Sequence, residues 1–229
     1  MKRFLKILKI LGLAIFSIVV ILTIVSFVIS KELPQGKQGP EADELAEKIL
    51  TELNKDAYQK TKRIRWTFAG IHSYDWHKSE DYVLVSSDHY KVRLDLKDYN
   101  KSKVISSDDS DYEDLIETCI KNFNNDSFWL IAPYKLMEEN VERRIVEKDG
   151  ERALLVTYTS GGNTPGDSYL WKVDENYRPI SFEMWVSIIP IGGLEAKWKD
   201  WVETQSGMKL STKKTVFGIP IEITNLKTN

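Results

Sequence analysis

Hydrophobic and polar positions alternate along most of the chain, a pattern that is typical of β-strands with one apolar face. In "RIRWTFAGIHSYDW", Ile64, Trp66 and Phe68 fall on one face and Arg65 falls on the other. The stretch "HYKVRLDLK" alternates in the same way, and Asp-Gly and Ser-Gly pairs between such stretches indicate hairpin turns. The pattern predicts about ten or eleven antiparallel strands.

Two segments instead repeat their apolar residues every three or four positions, as amphipathic helices do. The first is "EADELAEKILTELNKDA", and the second follows Ser110, which forms a capping-box pattern with Glu113. Cys119 lies within the apolar stripe of the second helix, which indicates a small buried residue and not a nucleophile. Together, the strands and helices predict an α+β fold, a curved, half-open antiparallel β-barrel with two helices in its concave face.

The first thirty residues predict a membrane anchor. Basic residues stand in the tail 1–9, and the segment 10–30 then runs without a charge, which is enough for the roughly 20 residues that span a bilayer core. Its length and its lack of a small-residue cleavage site favour an uncleaved transmembrane signal-anchor helix over a signal peptide. The basic tail predicts a cytoplasmic N-terminus in the inner (cell) membrane, then a tether over 31–40 and an extracytoplasmic or periplasmic domain over 41–229.

The charge balance makes nucleic acid a poor partner. The formal net charge is −2 and includes the basic tail, so the remaining domain is more acidic than the whole chain. A single cysteine cannot form an internal disulfide. The domain therefore depends on its own apolar core, which about 190 residues are enough to bury.

One stretch, "HSYDWH", carries residue types that bind metals. Asp75 and His77 lie two apart and share a face of a strand, and His89 begins a nearby strand. A metal or hydrolase site on these three residues is one alternative, but the sequence has no paired-histidine or paired-cysteine motif. The glycine-rich "SGGNTPGDS" has no lysine to complete a phosphate-binding loop. We therefore expect no catalytic residue, no metal and no cofactor, and a protein that is not an enzyme.

The order of elements, a helix, long meandering strands, a mid-chain helix and then hairpins, resembles the LolA/LolB superfamily. Two stretches carry the resemblance, "CIKNFNNDSFWLIAPYKL" and "WKDWVETQSGMKLSTKKTVFG". It covers residues 41–227 and implies a half-open barrel, plugged by helices, that carries lipoproteins or other lipid-like cargo between membranes. The predicted uncleaved anchor departs from the family, whose members have a cleaved signal or a lipid-modified cysteine.

Eight side chains are candidate ligand-binding residues. They lie on the predicted inward face or in "SFWLIAPYKLM", which is expected to run from the second helix back to the sheet, buried or at the barrel mouth. They are Trp66, Phe68, Tyr90, Phe128, Trp129, Phe182, Met184 and Trp198. Rings and a thioether suit a variable apolar ligand, such as a lipid, an acyl chain or a lipoprotein moiety. Alternatively, they fill the barrel, and the domain is a non-catalytic scaffold for a protein partner in an envelope complex.

Overall fold

The computed structural model describes residues 2–148, 150–161 and 163–229, apart from the side chains of Lys148 and of several residues in the first helix. The helices are α1 (Lys2–Ile29), α2 (Pro40–Glu52), α3 (Lys55–Lys60) and α4 (Tyr112–Ile131), with 3-10 turns at Lys78–Glu80, Tyr99–Lys101 and Ala132–Tyr134. The strands are β1 (Arg63–Phe68), β2 (His72–His77), β3 (Tyr82–Ser86), β4 (Tyr90–Asp95), β5 (Lys103–Ser107), β6 (Val141–Lys148), β7 (Glu151–Tyr158), β8 (Ser168–Val173), β9 (Pro179–Trp185), β10 (Leu194–Glu203), β11 (Lys209–Val216) and β12 (Ile219–Thr228).

The twelve strands of the described residues form one antiparallel sheet in the order β5-β4-β3-β2-β1-β12-β11-β10-β9-β8-β7-β6. Neighbours in the sheet are neighbours in sequence, except that the last strand, β12, pairs with the first, β1. The sheet stays open between its edges, β5 and β6, as the predicted half-open barrel requires. The predicted count is short by one or two strands, because edge strand β5 is mostly exposed and gives little alternation.

Helices α2 and α4 pack on one face of the sheet, here called the concave face, and bury the main core against it. Strand β1 follows the predicted alternation, with Ile64, Trp66 and Phe68 buried and Arg65 exposed. The two predicted helices thus lie where the resemblance requires them.

Helix α4 differs from its prediction at both ends. Its N-cap is Asp111, whose carboxylate accepts a hydrogen bond from the Asp114 amide at 3.2 Å, so the predicted Ser110 capping box is wrong. The helix also continues through "NNDSFWLI" to Ile131, where a return to the sheet was predicted. Asparagines are poor helix formers, but burial of Leu130 and other side chains of the last two turns overrides that local preference.

Helix α1 runs from Lys2 to Ile29, and its described apolar side chains, among them Phe4, Phe16 and Val28, are exposed. Within the part of the chain that the structure describes, no helix combines the length and hydropathy of a membrane span. The predicted transmembrane segment, 10–30, coincides with this helix and includes side chains outside the described ones.

The residues directly after α1 are fixed to the β9–β10 hairpin by four contacts, here called the clamp. The Lys31 amide donates to the Gly192 carbonyl at 2.8 Å, and the Gly192 amide donates to Ser30 Oγ at 2.9 Å. Trp185 Nε1 donates to the Lys31 carbonyl at 2.8 Å, and Lys31 Nζ lies 3.0 Å from a Glu183 carboxylate oxygen. A Cβ at Gly192 would stand 2.5 Å from the Lys31 carbonyl oxygen, so the clamp needs glycine there.

Further along, the predicted tether lies on the sheet. Lys37 forms a one-residue bridge to Ile145 of edge strand β6, with backbone hydrogen bonds of 2.9 and 2.8 Å. A Cβ at Gly36 would stand 2.6 Å from Cβ of Arg144, which shows how close the two segments run. A second, smaller apolar cluster lies on the opposite, outer face and consists of Val146, Ala153, Leu155 and Leu170 with Trp185 packed against it.

Candidate functional site

The concave face brings four of the eight predicted ligand residues into one aromatic cluster. Phe182 is its centre, with ring centroids 5.4 Å from Trp129 and 5.8 Å from Trp198. Phe128 joins through Tyr169, at centroid distances of 4.8 Å from Phe128 to Tyr169 and 5.1 Å from Tyr169 to Phe182. Met184 stands opposite Tyr169 on the neighbouring strand and is buried in the same core.

The remaining predicted residues lie at the other end of the sheet. Trp66 stacks on Tyr74 with centroids 4.7 Å apart, and Phe123 of α4 packs 6.4 Å from Trp66. Phe68 is buried on the same strand as Trp66, and Tyr90 is half-buried against the core. The predicted residues therefore share one face but form two groups.

Helix α4 covers these rings in the structure. Phe182 is fully buried and Trp198 is only 2% exposed, whereas Phe128 and Trp129, which α4 itself contributes, are half-buried. A ligand could reach the rings of the sheet only if α4 moved or its side chains gave way.

The sequence patterns did not single out Trp171, which completes the aromatic cluster. Its ring lies 4.9 Å from Phe182 and 5.2 Å from Trp198, centroid to centroid. The strand register could have found it, because Trp171 stands directly opposite Phe182 in the β8–β9 hairpin.

Lys214 of β11 is the most unusual group on the concave face, and it was also missed. It is fully buried, and its Nζ donates to the Ser211 carbonyl at 2.6 Å and lies 4.5 Å from the centroid of the Trp198 ring. No carboxylate of the described residues forms an ion pair with it. Burial without a countercharge lowers the pKa of Lys214 to about 7.

Several buried donors of this face have no hydrogen-bond partner among the described residues. They are the indole N–H groups of Trp66, Trp171 and Trp198 and the hydroxyl of Tyr158. An unsatisfied buried polar group costs about 1–3 kcal/mol, so native cores contain few of them. The concave face thus consists mainly of apolar side chains but contains several hydrogen-bond donors without partners in the described chain.

A polar cluster fastens α4 to the sheet. The buried carboxylate of Asp126 accepts hydrogen bonds from the Tyr74 hydroxyl at 2.6 Å and from the Asn125 amide group at 2.9 Å, and lies 2.9 Å from Nδ1 of His72. Asn122 Nδ2 lies 3.4 Å from the other ring nitrogen of His72. Burial and the neighbouring Asp126 raise the pKa of Tyr74, which keeps the phenol protonated as a donor. The cluster is a latch between α4 and β2.

The three residues considered for a metal site, Asp75, His77 and His89, do not converge on a common point. His77 Nε2 lies 3.4 Å from an Asp75 oxygen, but that carboxylate is held by Arg63, whose Nε donates to it at 2.6 Å. His89 is exposed and instead faces Asp108 at 3.2 Å. Among the described residues, no group of three or more histidine, cysteine, aspartate or glutamate side chains could hold a metal ion.

A cavity of about 700 Å³ opens on the outer face, away from the predicted ligand residues. Its floor includes the apolar side chains of Val146, Leu170 and Trp185, and its rim includes Lys31 and Arg152. Lys172, at the same cavity, forms an ion pair with Glu183 at 2.8 Å, and Lys31 forms another. These cations lower the pKa of the Glu183 carboxyl although burial opposes it. The charges here are paired, unlike that of Lys214.

Neither any protein-family model nor any curated protein matches the sequence. Solved structures similar to the chain include a DUF1329 family protein from Desulfovibrio piger, at 12% identity over 82% of this chain and 93% of that chain, with a TM-score of 0.43. Another, described as an outer membrane lipoprotein-sorting protein domain from Vibrio parahaemolyticus, matches at 10% identity over 80% of this chain and 93% of that chain, with a TM-score of 0.34. A lipoprotein-sorting domain, the kind of protein that the sequence resembles, is thus among the solved structures similar to the chain.

Proposed function

We propose that the chain is a membrane-anchored, extracytoplasmic protein that binds an apolar ligand, such as a lipid, an acyl chain or a lipoprotein moiety, between the concave face and helix α4. The observation that carries this proposal is the ring cluster around Phe182, against which helix α4 packs Trp129. Binding needs burial alone, because each CH₂ group removed from water contributes about 0.8 kcal/mol. The proposal assigns no catalytic residue.

Entry of the ligand requires α4 to give up part of its packing. An acyl chain would replace the helix side chains against the same rings, so the apolar area lost on opening is regained on binding. The Asp126 latch holds α4 at β2 within one helical turn of Phe128 and Trp129, so movement of these two side chains away from the sheet also loads the latch.

The membrane anchor is part of the same proposal. Its support is the exposed apolar surface of α1 and the basic residues that begin it. The clamp at Ser30 and Lys31 would hold the domain against the end of that helix, and not at the end of a loose tether. A domain held in this way would load or deliver its ligand at its own membrane, with the N-terminus in the cytoplasm.

The alternative is a scaffold with a filled barrel, whose outer surface binds an envelope protein. The complete burial of Phe182 and the position of the outer cavity favour it. In that case the concave rings are core residues only.

Photocrosslinking of the full chain in its membrane separates the two functions. Benzoylphenylalanine replaces Phe128, which is half-buried at the concave face, and in a matched variant it replaces Phe217, which is 65% exposed in the β11–β12 turn. We expect lipid adducts, identified by mass spectrometry after irradiation, at position 128 and not at position 217. Adducts at position 128 that contain only peptide of the same chain would support the filled scaffold.

A further inference from the structure

We propose that the ligand of this face carries an acidic head group, and that Lys214 with the indole N–H groups of Trp171 and Trp198 forms the site that receives it. The inference rests on the proposed function and narrows it from an apolar ligand to an anionic amphiphile. Its basis is a buried lysine without a carboxylate partner, close to two buried indole N–H groups without any hydrogen-bond partner among the described residues.

Within the described chain, Lys214 is neither exposed to solvent nor paired with a carboxylate, as a lysine on a strand usually is. On β11 it shares a face with the buried Leu210, and it stands opposite Trp198 of β10 and Ile221 of β12. By contrast, the partly buried Lys209 of the same strand reaches a carboxylate, with its Nζ 3.0 Å from Glu52. Lys214 has only the Ser211 carbonyl and the Trp198 ring. A buried ammonium with so little compensation is costly unless an anion joins it.

The two indole N–H groups near Lys214 lack an acceptor in the part of the chain that the structure describes. An ammonium and an indole N–H can only donate hydrogen bonds. Trp198 lies directly beside Lys214, and Trp171 lies 5.2 Å from Trp198, centroid to centroid. Both indole N–H groups are buried and unpaired among the described residues. A carboxylate or a phosphate is acceptor-only when ionised, so it could accept from both indole N–H groups and supply the countercharge that Lys214 lacks.

The surrounding rings supply a path for an apolar tail. From Trp198, the contacts continue to Phe182 at 5.8 Å, from Phe182 to Tyr169 at 5.1 Å, and from Tyr169 to the half-buried Phe128 at 4.8 Å, all between centroids. The head group would therefore lie inside and the tail would lead towards α4. This orientation suits a single-chain amphiphile, since a lipoprotein could not bury the polypeptide end that carries its acyl chains.

The test compares three probes that share a sixteen-carbon tail: hexadecanoate, hexadecyl phosphate and hexadecanol. The full chain is reconstituted in nanodiscs of phosphatidylcholine, and binding is measured with radiolabelled probe after subtraction of empty nanodiscs. A charge-assisted hydrogen bond is strong enough to give an anionic probe about tenfold or more tighter binding than the alcohol. The two anionic probes also distinguish a carboxylate ligand from a phosphate ligand.

Lys214→Met should remove the preference for the anionic probes and leave hexadecanol binding within about twofold, because Met keeps the apolar volume. The matched control is Lys213→Met, one residue away on the same strand, where the lysine lies on the surface and pairs with Glu222. The control should retain the full preference. The double variant Trp171→Phe with Trp198→Phe, which keeps rings but removes both N–H groups, tests the site independently if the methionine variant does not fold.

The outcomes separate the two proposals. Equal binding of all three probes, unchanged in the Lys214→Met and double variants, would overturn the acidic head group and leave the apolar binding function standing. Loss of the preference in Lys213→Met as well would overturn the assignment to Lys214. If none of the three probes binds, both the proposed function and the acidic head group are contradicted.

Discussion

The buried Lys214 predicts an unusual dependence of stability on pH. Burial lowers its pKa from 10.5 to about 7 in the folded protein. Between these values the unfolded chain holds a proton on this side chain that the folded chain has released. Lys214 therefore makes the free energy of unfolding rise with pH across this window, by about 1.4 kcal/mol per pH unit. Below pH 7 both states are protonated, and the full penalty of the buried charge remains.

Lys214→Met removes that penalty and keeps a side chain of similar length. The variant should be more stable than the wild type at pH 6, on the order of several kcal/mol, since it buries no charge. The difference should shrink steadily from pH 7 to pH 10. Lys78, whose pKa burial lowers to about 8, adds a slope of the same sign. That slope is present in both proteins and cancels in the difference.

The free energy of unfolding of the full chain is measured by urea titration with tryptophan fluorescence as the probe. The titration is repeated at each pH unit from pH 6 to pH 10. Lys213→Met is the control, because its charge is on the surface and its removal should change stability little at any pH. A Lys214→Met protein that is less stable than the wild type at pH 6, or a difference that is flat with pH, would refute the reasoning. Either result would mean that Lys214 has a compensating partner in the folded protein.

Three further perturbations test other parts of the structure. Asp126→Asn weakens the latch to Tyr74 and His72, so the free energy of unfolding should fall by about 1–3 kcal/mol and amide hydrogen exchange should become faster within α4. Unchanged exchange in α4 would contradict the role of Asp126 as a latch. Gly192→Ala places a Cβ 2.5 Å from the Lys31 carbonyl oxygen, so residues 30–37 should become more sensitive to protease while the melting temperature of the domain changes little; equal sensitivity would contradict the clamp. Burial raises the pKa of Cys119 to about 11, so the native thiol should resist iodoacetamide at pH 8 and react only after unfolding, and prompt native labelling would place it at the surface.

The sequence predicted the sheet because strands with one buried face carry a period of two, which is visible without any knowledge of partners. The alternation of Trp66 and Phe68 with Arg65 is enough to assign β1 and its buried side. The end of α4 was predicted wrongly because its asparagines favour a turn, and the burial that outweighs them belongs to tertiary packing. The clamp was missed for a related reason, because backbone hydrogen bonds between Lys31 and Gly192 leave no pattern in the sequence.

The candidate site was half predictable. Apolar rings on an inward face can be read from alternation, and Phe182 and Trp198 were found in this way, although whether they bind a ligand stays a prediction. Lys214 could be placed on the same face by its parity with Leu210, but a lysine on a strand normally indicates the solvent side. Only the register that sets it opposite Trp198 reveals a cation inside the aromatic cluster.

The same lysine distinguishes a filled core from a binding face. A core that serves stability alone gains from leucine or methionine at such a position, since an uncompensated buried charge is destabilising. A binding face instead needs groups that stay unsatisfied until the ligand arrives, because a donor already paired within the protein would have to break that bond first. The unpaired indole N–H groups of Trp171 and Trp198, beside a Lys214 that has a carbonyl partner but no countercharge, fit the second description and not the first. A variant that gains stability and loses its preference for anionic ligands would show both sides of this exchange in one protein.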